Sequence, residues 1–463
     1  MEDLFDLVIR KGTVVLIDDV SQLDIGIRNG KIAALGENLV YSEQTPVYDA
    51  DHLLIVPGVV DAHVHFNEPA LGHWEGFATG SASLAAGGCT TYIDMPLNGV
   101  PPTVRLGALE RKLEAAEGSS TVDYALWGGL VPGNVGNLQE LAEAGVIGFK
   151  AFMSCPGGEG EDIFAEVDDL TLLEGMKEIA RLGLVLALHA ESEEIVSKLA
   201  AQAQLEGKRE PLDFVATRPI AAEQEAVSRA LYYAEQTGCK LHFVHISSAE
   251  AVQVIEEAKA QGLDVTVETC PHYLVLTSAD LDRLGPVAKC APPLRTAEDQ
   301  DRLWEAVIGG KLDMLASDHS PCPSSMKQGD FFEAWGGISS AQSSLELMLD
   351  EGHLRRDVPL PLLARMLSTE PAKRFGLYPR KGEIALGADA DLALVDMKLS
   401  YSLQASDLLY RHKHSPYVGK TFGCRVTATF LRGTQVYGLH EGVVGETEGA
   451  WLRHAAAGGE SRG

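Results

Sequence analysis

The chain has 463 residues, of which 38 are Lys or Arg and 66 are Asp or Glu, giving a formal net charge of −28 at pH 7. At 45% hydrophobic and 22% charged it has a globular rather than a disordered composition, with length enough for a barrel of about 250 residues or more plus a further domain. The acidity excludes nucleic acid and anionic membrane surfaces as partners, because no Lys/Arg run exceeds two residues and phosphate binding needs basic patches.

The acidic start, Met-Glu-Asp-Leu-Phe-Asp, is unlike a signal peptide. The next 50 residues read as short strands and turns. Leu7-Val8-Ile9, Thr13-Val14-Val15-Leu16 and Ile25-Gly26-Ile27 are separated by Lys11-Gly12 and by the hairpin signal Asn29-Gly30. The middle of the chain then alternates apolar strands with helical stretches. Eight strands are expected, over 54–60, 90–94, 124–130, 147–152, 184–189, 241–246, 265–269 and 314–317. Helical spacing over 106–117 and 249–261 is representative of what lies between them. Eightfold strand–helix alternation predicts an α/β fold, a (β/α)8 TIM-type barrel, with an open doubly wound sheet as the alternative.

Beyond the barrel, 387–391 leads into the apolar run Leu392-Ala393-Leu394-Val395. A second hairpin is expected from 426–431, Arg432-Gly433-Thr434 and Gln435-Val436-Tyr437. Both ends of the chain therefore read as β. No internal repeat is found, and the tail 455–463 is expected to be mobile. Apolar stretches such as 53–56 and 184–188 fall far short of the roughly 20 residues of a membrane span. Seven single cysteines without a CxxC pair fit a reducing, cytoplasmic location.

The chemistry concentrates at strand ends. In Pro57-Gly58-Val59-Val60-Asp61-Ala62-His63-Val64-His65-Phe66, two histidines two residues apart share one face of a strand and can aim at one metal ion. Lys150, His189, His245 and Asp318 stand at the ends of the fourth, fifth, sixth and eighth strands. Each has a plainer reading: a core histidine, an ion-paired lysine, an aspartate that caps a helix. Six such residues at the C-terminal rim, where barrel active sites sit, point instead to a metal centre. A buried ammonium beside cations would be repelled, but an amine that adds CO2 becomes a carbamate with two oxygens able to bridge two metals. His63, His65 and Asp318 would then hold one metal and His189 and His245 the other. Of the remaining histidines, His242 is expected to point to the opposite side of its strand from His245. His272 is expected beside the site and His319 away from it, and none of the three is expected as a ligand.

With these residues the chain resembles the amidohydrolase superfamily in its cyclic amidohydrolase branch of allantoinases, dihydroorotases, dihydropyrimidinases and hydantoinases. The resemblance rests on 57–65, Lys150, His189, His245, Ser317-Asp318-His319 and His414-Ser415-Pro416-Tyr417-Val418-Gly419, and runs from about residue 7 to 437. It implies a small β-sandwich domain built by both termini: 1–55 and 380–445 as this composite domain, 56–379 as the barrel, and 446–463 as a C-terminal tail. Dihydroorotases usually carry an arginine for the substrate carboxylate where this chain has Asn67, and an amide cannot neutralise a carboxylate as an arginine fork does. Hydantoinases usually carry a tyrosine where this chain has Cys155. His-Val-His-Phe-Asn-Glu-Pro, Trp74-Glu75-Gly76 and Asp94-Met95-Pro96-Leu97-Asn98 look like the allantoinase family, although Gly99 stands where a serine is expected.

The resemblance implies a hydrolase that opens the hydantoin ring of allantoin to allantoate in purine degradation. The alternatives are a hydantoinase or dihydropyrimidinase acting on another cyclic amide and, from a different class, a non-catalytic scaffold. It implies two divalent metal ions, zinc first, with cobalt, manganese or iron also suited to the ligands. Lys150 would be N6-carboxylysine, its carbamate made from CO2. Hydroxide held between the metals would attack the ring carbonyl, with Asp318 as general base and then acid. Ser320, Asn98, Cys290, Pro292 and Cys155 are expected at the substrate. A homo-oligomer, a tetramer in many relatives, is expected. The net charge of −28 agrees with an uncharged substrate.

Overall fold

The computed structural model describes residues 5–158, 162–444 and 449–454. Eight parallel strand positions close a barrel: Val59–Val64, Cys89–Asp94, Asp123–Leu126 continued by Gly128–Gly129, Phe149–Phe152, Val185–His189, Lys240–Phe243, Val265–Thr269 and Met314–Leu315. The third strand is interrupted at Trp127, whose backbone N–H still donates to Asp94 O at 3.0 Å. Its indole donates to Ala62 O at 3.1 Å. The barrel closes where His65 N–H donates to His319 O at 2.8 Å, beside the parallel bridge between Val64 and His319. Helices form between strands where the spacing predicted them, including Leu106–Ala116 and Ala249–Ala260. The latter is started by Ser248, which accepts from Ala251 N–H at 3.3 Å.

Strands from both ends of the chain build one nine-stranded sheet. Five come before the barrel (Leu7–Val15, Val20–Arg28, Lys31–Gly36, Val47–Asp49, Leu53–Pro57) and four after it (Leu392–Asp396, Arg425–Leu431, Thr434–Gly438, Gly442–Val443). Period-two alternation buries both faces. Leu392 and Leu394 pack with Ile9, Ile25 and Phe430, while Ala393 and Val395 join the core shared with the barrel. The two expected hairpins turn at Asn29-Gly30 (φ 52° and 72°) and Arg432-Gly433 (φ 46° and 74°), two-residue loops with positive φ at both positions.

Two expectations need correction. The run 54–60 is two strands, not one. Leu53–Pro57 pairs with Leu392–Asp396 in the nine-stranded sheet, and the first barrel strand is Val59–Val64. Gly58 joins them with no turn residue to announce the change, and a Cβ there would lie 2.2 Å from the Thr90 hydroxyl. Lys11-Gly12 is a bulge inside the strand Leu7–Val15 rather than a turn, with Lys11 at φ 59°. Within the C-terminal segment, 449–454 pairs with the barrel. Tyr124 N–H donates to Ala450 O (3.0 Å) and Leu452 N–H to Tyr124 O (2.7 Å) along the third barrel strand. Residues 455–463 lie outside the described residues. All seven cysteines are free, and among the described residues no helix is long and apolar enough to cross a membrane.

Candidate metal centre and its cavity

Strand ends bring the six expected residues to one rim. His63 lies within the first barrel strand and His65 just past it, Lys150 lies in the fourth, and His189 ends the fifth. His245 and Asp318 follow the sixth and eighth strands with positive φ, 40° and 44°, a strained backbone that turns both side chains inward. Asp318 Oδ1 stands 3.2 Å from His63 Nε2 and 3.4 Å from His65 Nε2. Nδ1 of His189 and Nε2 of His245 are 3.0 Å apart. Donor atoms of His63, His245 and Asp318 lie within 4.8 Å of one another.

For His63, His65 and His189 the other ring nitrogen is held from behind, which fixes the nitrogen that faces the centre. His63 Nδ1 donates to Glu268 Oε1 at 2.9 Å, and His65 Nδ1 to Leu97 O at 3.1 Å. His189 Nε2 donates to Glu191 Oε2 at 2.9 Å, and Glu191 is in turn paired with Arg218. Glu268, Glu191 and Arg218 were not singled out in the sequence. The available signals were a glutamate inside the apolar strand Val265–Thr269 and one two residues past His189.

Burial lowers the proton affinity of His63, His189 and His245, which favours neutral imidazoles. Burial raises that of Asp318, but the facing histidines outweigh it and hold the carboxyl well below the usual range. Lys150 is fully buried, its Nζ has no hydrogen-bond partner, and burial brings the amine down to about 7. Four imidazoles, a carboxylate and an unpartnered amine fit divalent cations.

His242 does not point away from this region. Its Nε2 donates to Glu268 Oε2 at 3.2 Å, so its ring and the side chain of His245 both lie toward the centre. The positive φ at His245 breaks the two-residue alternation on which the opposite expectation rested. His272 is buried beside Asp318 with both ring nitrogens unpartnered. His319 turns to Phe66 and Tyr410, and its Nδ1 accepts from Ser340 N–H at 3.1 Å.

The centre opens into a cavity of about 470 Å³. Asn98, Cys155, Cys290 and Ser320 line it. Pro292 does not; its carbonyl accepts from the Tyr273 hydroxyl at 2.7 Å. Asn67 is buried behind the wall and orients Asn98, accepting from its Nδ2 at 3.0 Å. Gly99 has a steric cause, since a Cβ there would lie 2.4 Å from Glu68 O. Two cations that the sequence reading did not foresee, Arg218 and Lys289, also line the cavity.

Among curated proteins the chain is similar to allantoinases. That of Rubrobacter xylanophilus is 50% identical over 94% of each chain, and that of Solibacter usitatus 48% over 97% of each. That of Escherichia coli O139:H28 is 45% identical over 95% of this chain and 96% of the relative. Among solved structures it is similar to the L-hydantoinase (dihydropyrimidinase) of Arthrobacter aurescens, with TM-score 0.93 and 36% identity over 97% of this chain and 100% of that one. The dihydropyrimidinase of Brevibacillus agri superposes with TM-score 0.89 and 30% identity over 97% and 98%. The profile of the Amidohydrolase family matches residues 54–436. A barrel with histidines, a lysine and an aspartate gathered at its rim, matched over most of its length by that profile, belongs to the amidohydrolase family.

Proposed function

We propose that the protein is a cyclic-amide hydrolase that opens the hydantoin ring of allantoin to give allantoate. The observation that carries this reading is the near full-length similarity, at 45–50% identity, to relatives named allantoinase. In the proposed site His63, His65 and Asp318 would hold one divalent ion and His189 and His245 the other, with Lys150, as its carbamate, completing their ligands. Zinc suits this donor set best, with cobalt, manganese and iron(II) as substitutes. The bound ions supply Lewis acidity and lower the pKa of water from 15.7 toward about 7.

Asp318 takes one proton from water as its oxygen bonds to the ring carbonyl carbon. The aspartate then passes that proton to the ring nitrogen as the C–N bond breaks, leaving a carboxyl group and a freed N–H. Asn98 and Ser320 are placed in the reading as partners of the ureido group and the ring, with Cys290 and Cys155 as cavity walls. We also propose a cytoplasmic homotetramer and the division into a composite β domain (1–55, 380–445), a barrel (56–379) and a short C-terminal segment.

Likeness to hydantoinase structures supports a second reading, in which another cyclic amide is preferred. Kinetics on allantoin, hydantoin, dihydrouracil and dihydroorotate, with metal content measured on the same sample, separates the two. Allantoin is expected to give the highest kcat/KM, and a higher value on hydantoin or dihydrouracil would overturn the substrate assignment.

A further inference from the structure

One wall of the cavity gathers three cations, Arg218, Lys289 and Lys327; Arg218 is paired with Glu191, and of the carboxylates Glu333 also lines the cavity. Lys289 lines it at 6% exposure. Its Nζ donates to Ala334 O at 2.5 Å and Phe332 O at 3.4 Å, and lies 4.7 Å from the centre of the Phe214 ring. No carboxylate oxygen lies within 4.0 Å of it among the described residues. Behind it Lys327, 8% exposed, is held by carbonyls, Trp335 O at 2.9 Å and Gly337 O at 2.5 Å, with no carboxylate partner among the described residues. Arg218 lines the same wall, and the Glu191 that pairs with it is shared with His189. Burial, then the neighbouring charges of Lys327 and Arg218, depress Lys289 to about 8. Among the described residues neither buried ammonium has a carboxylate in ion-pair contact, although Asp330 acts on Lys289 from farther away. Buried cations are normally paired, so a group that supplies a negative charge completes this wall.

We propose that Arg218 and Lys289 form an anion subsite, and that it takes a carboxylate carried on the side chain of a cyclic ureide. Hydantoins whose ring substituent ends in a carboxylate are then bound and opened as well as neutral ones. A carboxylate matches the wall because its two oxygens can accept from the guanidinium and from the ammonium together. It must be carried away from the ring: at position 67 the chain has Asn67, whose carbonyl oxygen is already used to accept from Asn98.

This inference rests on the ring-opening reading, and the test keeps the two apart. Zinc-loaded enzyme is assayed with hydantoin-5-acetic acid, hydantoin-5-propionic acid and the primary amide of each. Within each pair, the acid is expected to have a KM about tenfold below that of its neutral isostere for at least one chain length. That advantage is expected to shrink severalfold between about 50 and about 500 mM salt. In Lys289→Met the acid-to-amide ratio of KM should rise from about 0.1 to near one, and in Lys289→Arg it should stay well below one. The ratio is read within each variant, so a general loss of activity cancels. Equal KM values for acid and amide in the unaltered enzyme, or an unchanged ratio in Lys289→Met, would overturn the subsite. If allantoin, assayed alongside, and these hydantoins are all left unopened, the ring-opening reading fails. The subsite is then judged by calorimetric binding of acid against amide to the holoenzyme, where equal affinity refutes it.

Discussion

The Glu268 carboxylate stands 2.9 Å from Nδ1 of His63, with both residues fully buried. The same carboxylate accepts from His242 Nε2 at 3.2 Å and from the backbone N–H of His245 at 3.1 Å. Burial works to raise its pKa, but His63 and His242 hold it at about 2, so it is an acceptor throughout the neutral range. Glutamine is nearly isosteric but offers one acceptor oxygen and an NH2, so it cannot serve three donors. Glu268→Gln is therefore expected to weaken metal binding by about 10–100-fold. Zinc occupancy against buffered free zinc measures this, and affinity within a factor of two of the unaltered protein would contradict the buttressing role.

Asp318→Asn separates ligation from proton transfer. An amide oxygen can still approach a cation, but it cannot carry a proton from water to a ring nitrogen. Metal content is expected to persist while kcat falls by about 10²–10⁴. Retention of more than a tenth of kcat would remove Asp318 from the proton path.

Lys150 links the metal centre to pH. Its amine, brought down to about 7 by burial, is neutral far more often near pH 7 than an ordinary lysine at 10.5. Only the neutral amine can add CO2. The metal-free protein is expected to take up labelled CO2 increasingly as pH rises through about 7, and to lose that capacity below it. Lys150→Ala is expected to lose metal and activity, with partial recovery when short carboxylic acids are supplied with the metal. Full metal occupancy in Lys150→Ala, without added acid, would contradict the bridging carbamate.

What could be read from the sequence follows from where the information is local. His63 and His65 are two residues apart, and Lys150, His189, His245 and Asp318 each end or closely follow an apolar run, so their places at strand ends bring them to one rim, while the inward turn of His245 and Asp318 comes from their positive φ. Glu268 and Arg218 were missed because their roles lie in partners far away in the chain: 205 residues separate Glu268 from His63. The misreading of His242 has a different origin, since a single backbone at φ 40° cancels the alternation used to place it. The first barrel strand was misplaced because the apolar run of Leu53–Pro57 continues through Gly58 into Val59 and Val60, so hydrophobicity carries no boundary there.

The two ends of the chain meet the barrel at one buried ammonium. Lys381, 1% exposed, donates to Asp123 Oδ2 and Asp391 Oδ2 at 2.6 Å each and stands 3.0 Å from Asp389 Oδ2. Asp123 also pairs with Arg432 and accepts from Ala450 N–H at 2.8 Å, so barrel, β domain and the segment 449–454 share this carboxylate. Burial opposes the charge on Lys381, but the three carboxylates hold its pKa above the ordinary value. Lys381→Met leaves buried carboxylates without their cation, which costs about 3–5 kcal/mol. In that variant the folded-state carboxyls sit above their unfolded values. They bind protons more tightly when folded, so stability is retained below about pH 4 and lost as pH rises. Denaturant unfolding of Lys381→Met is thus expected to show its largest deficit near pH 7 and a smaller one near pH 4, relative to the unaltered protein at each pH. A deficit below about 1 kcal/mol near pH 7, or one independent of pH, would show that the cluster does not hold the two domains together.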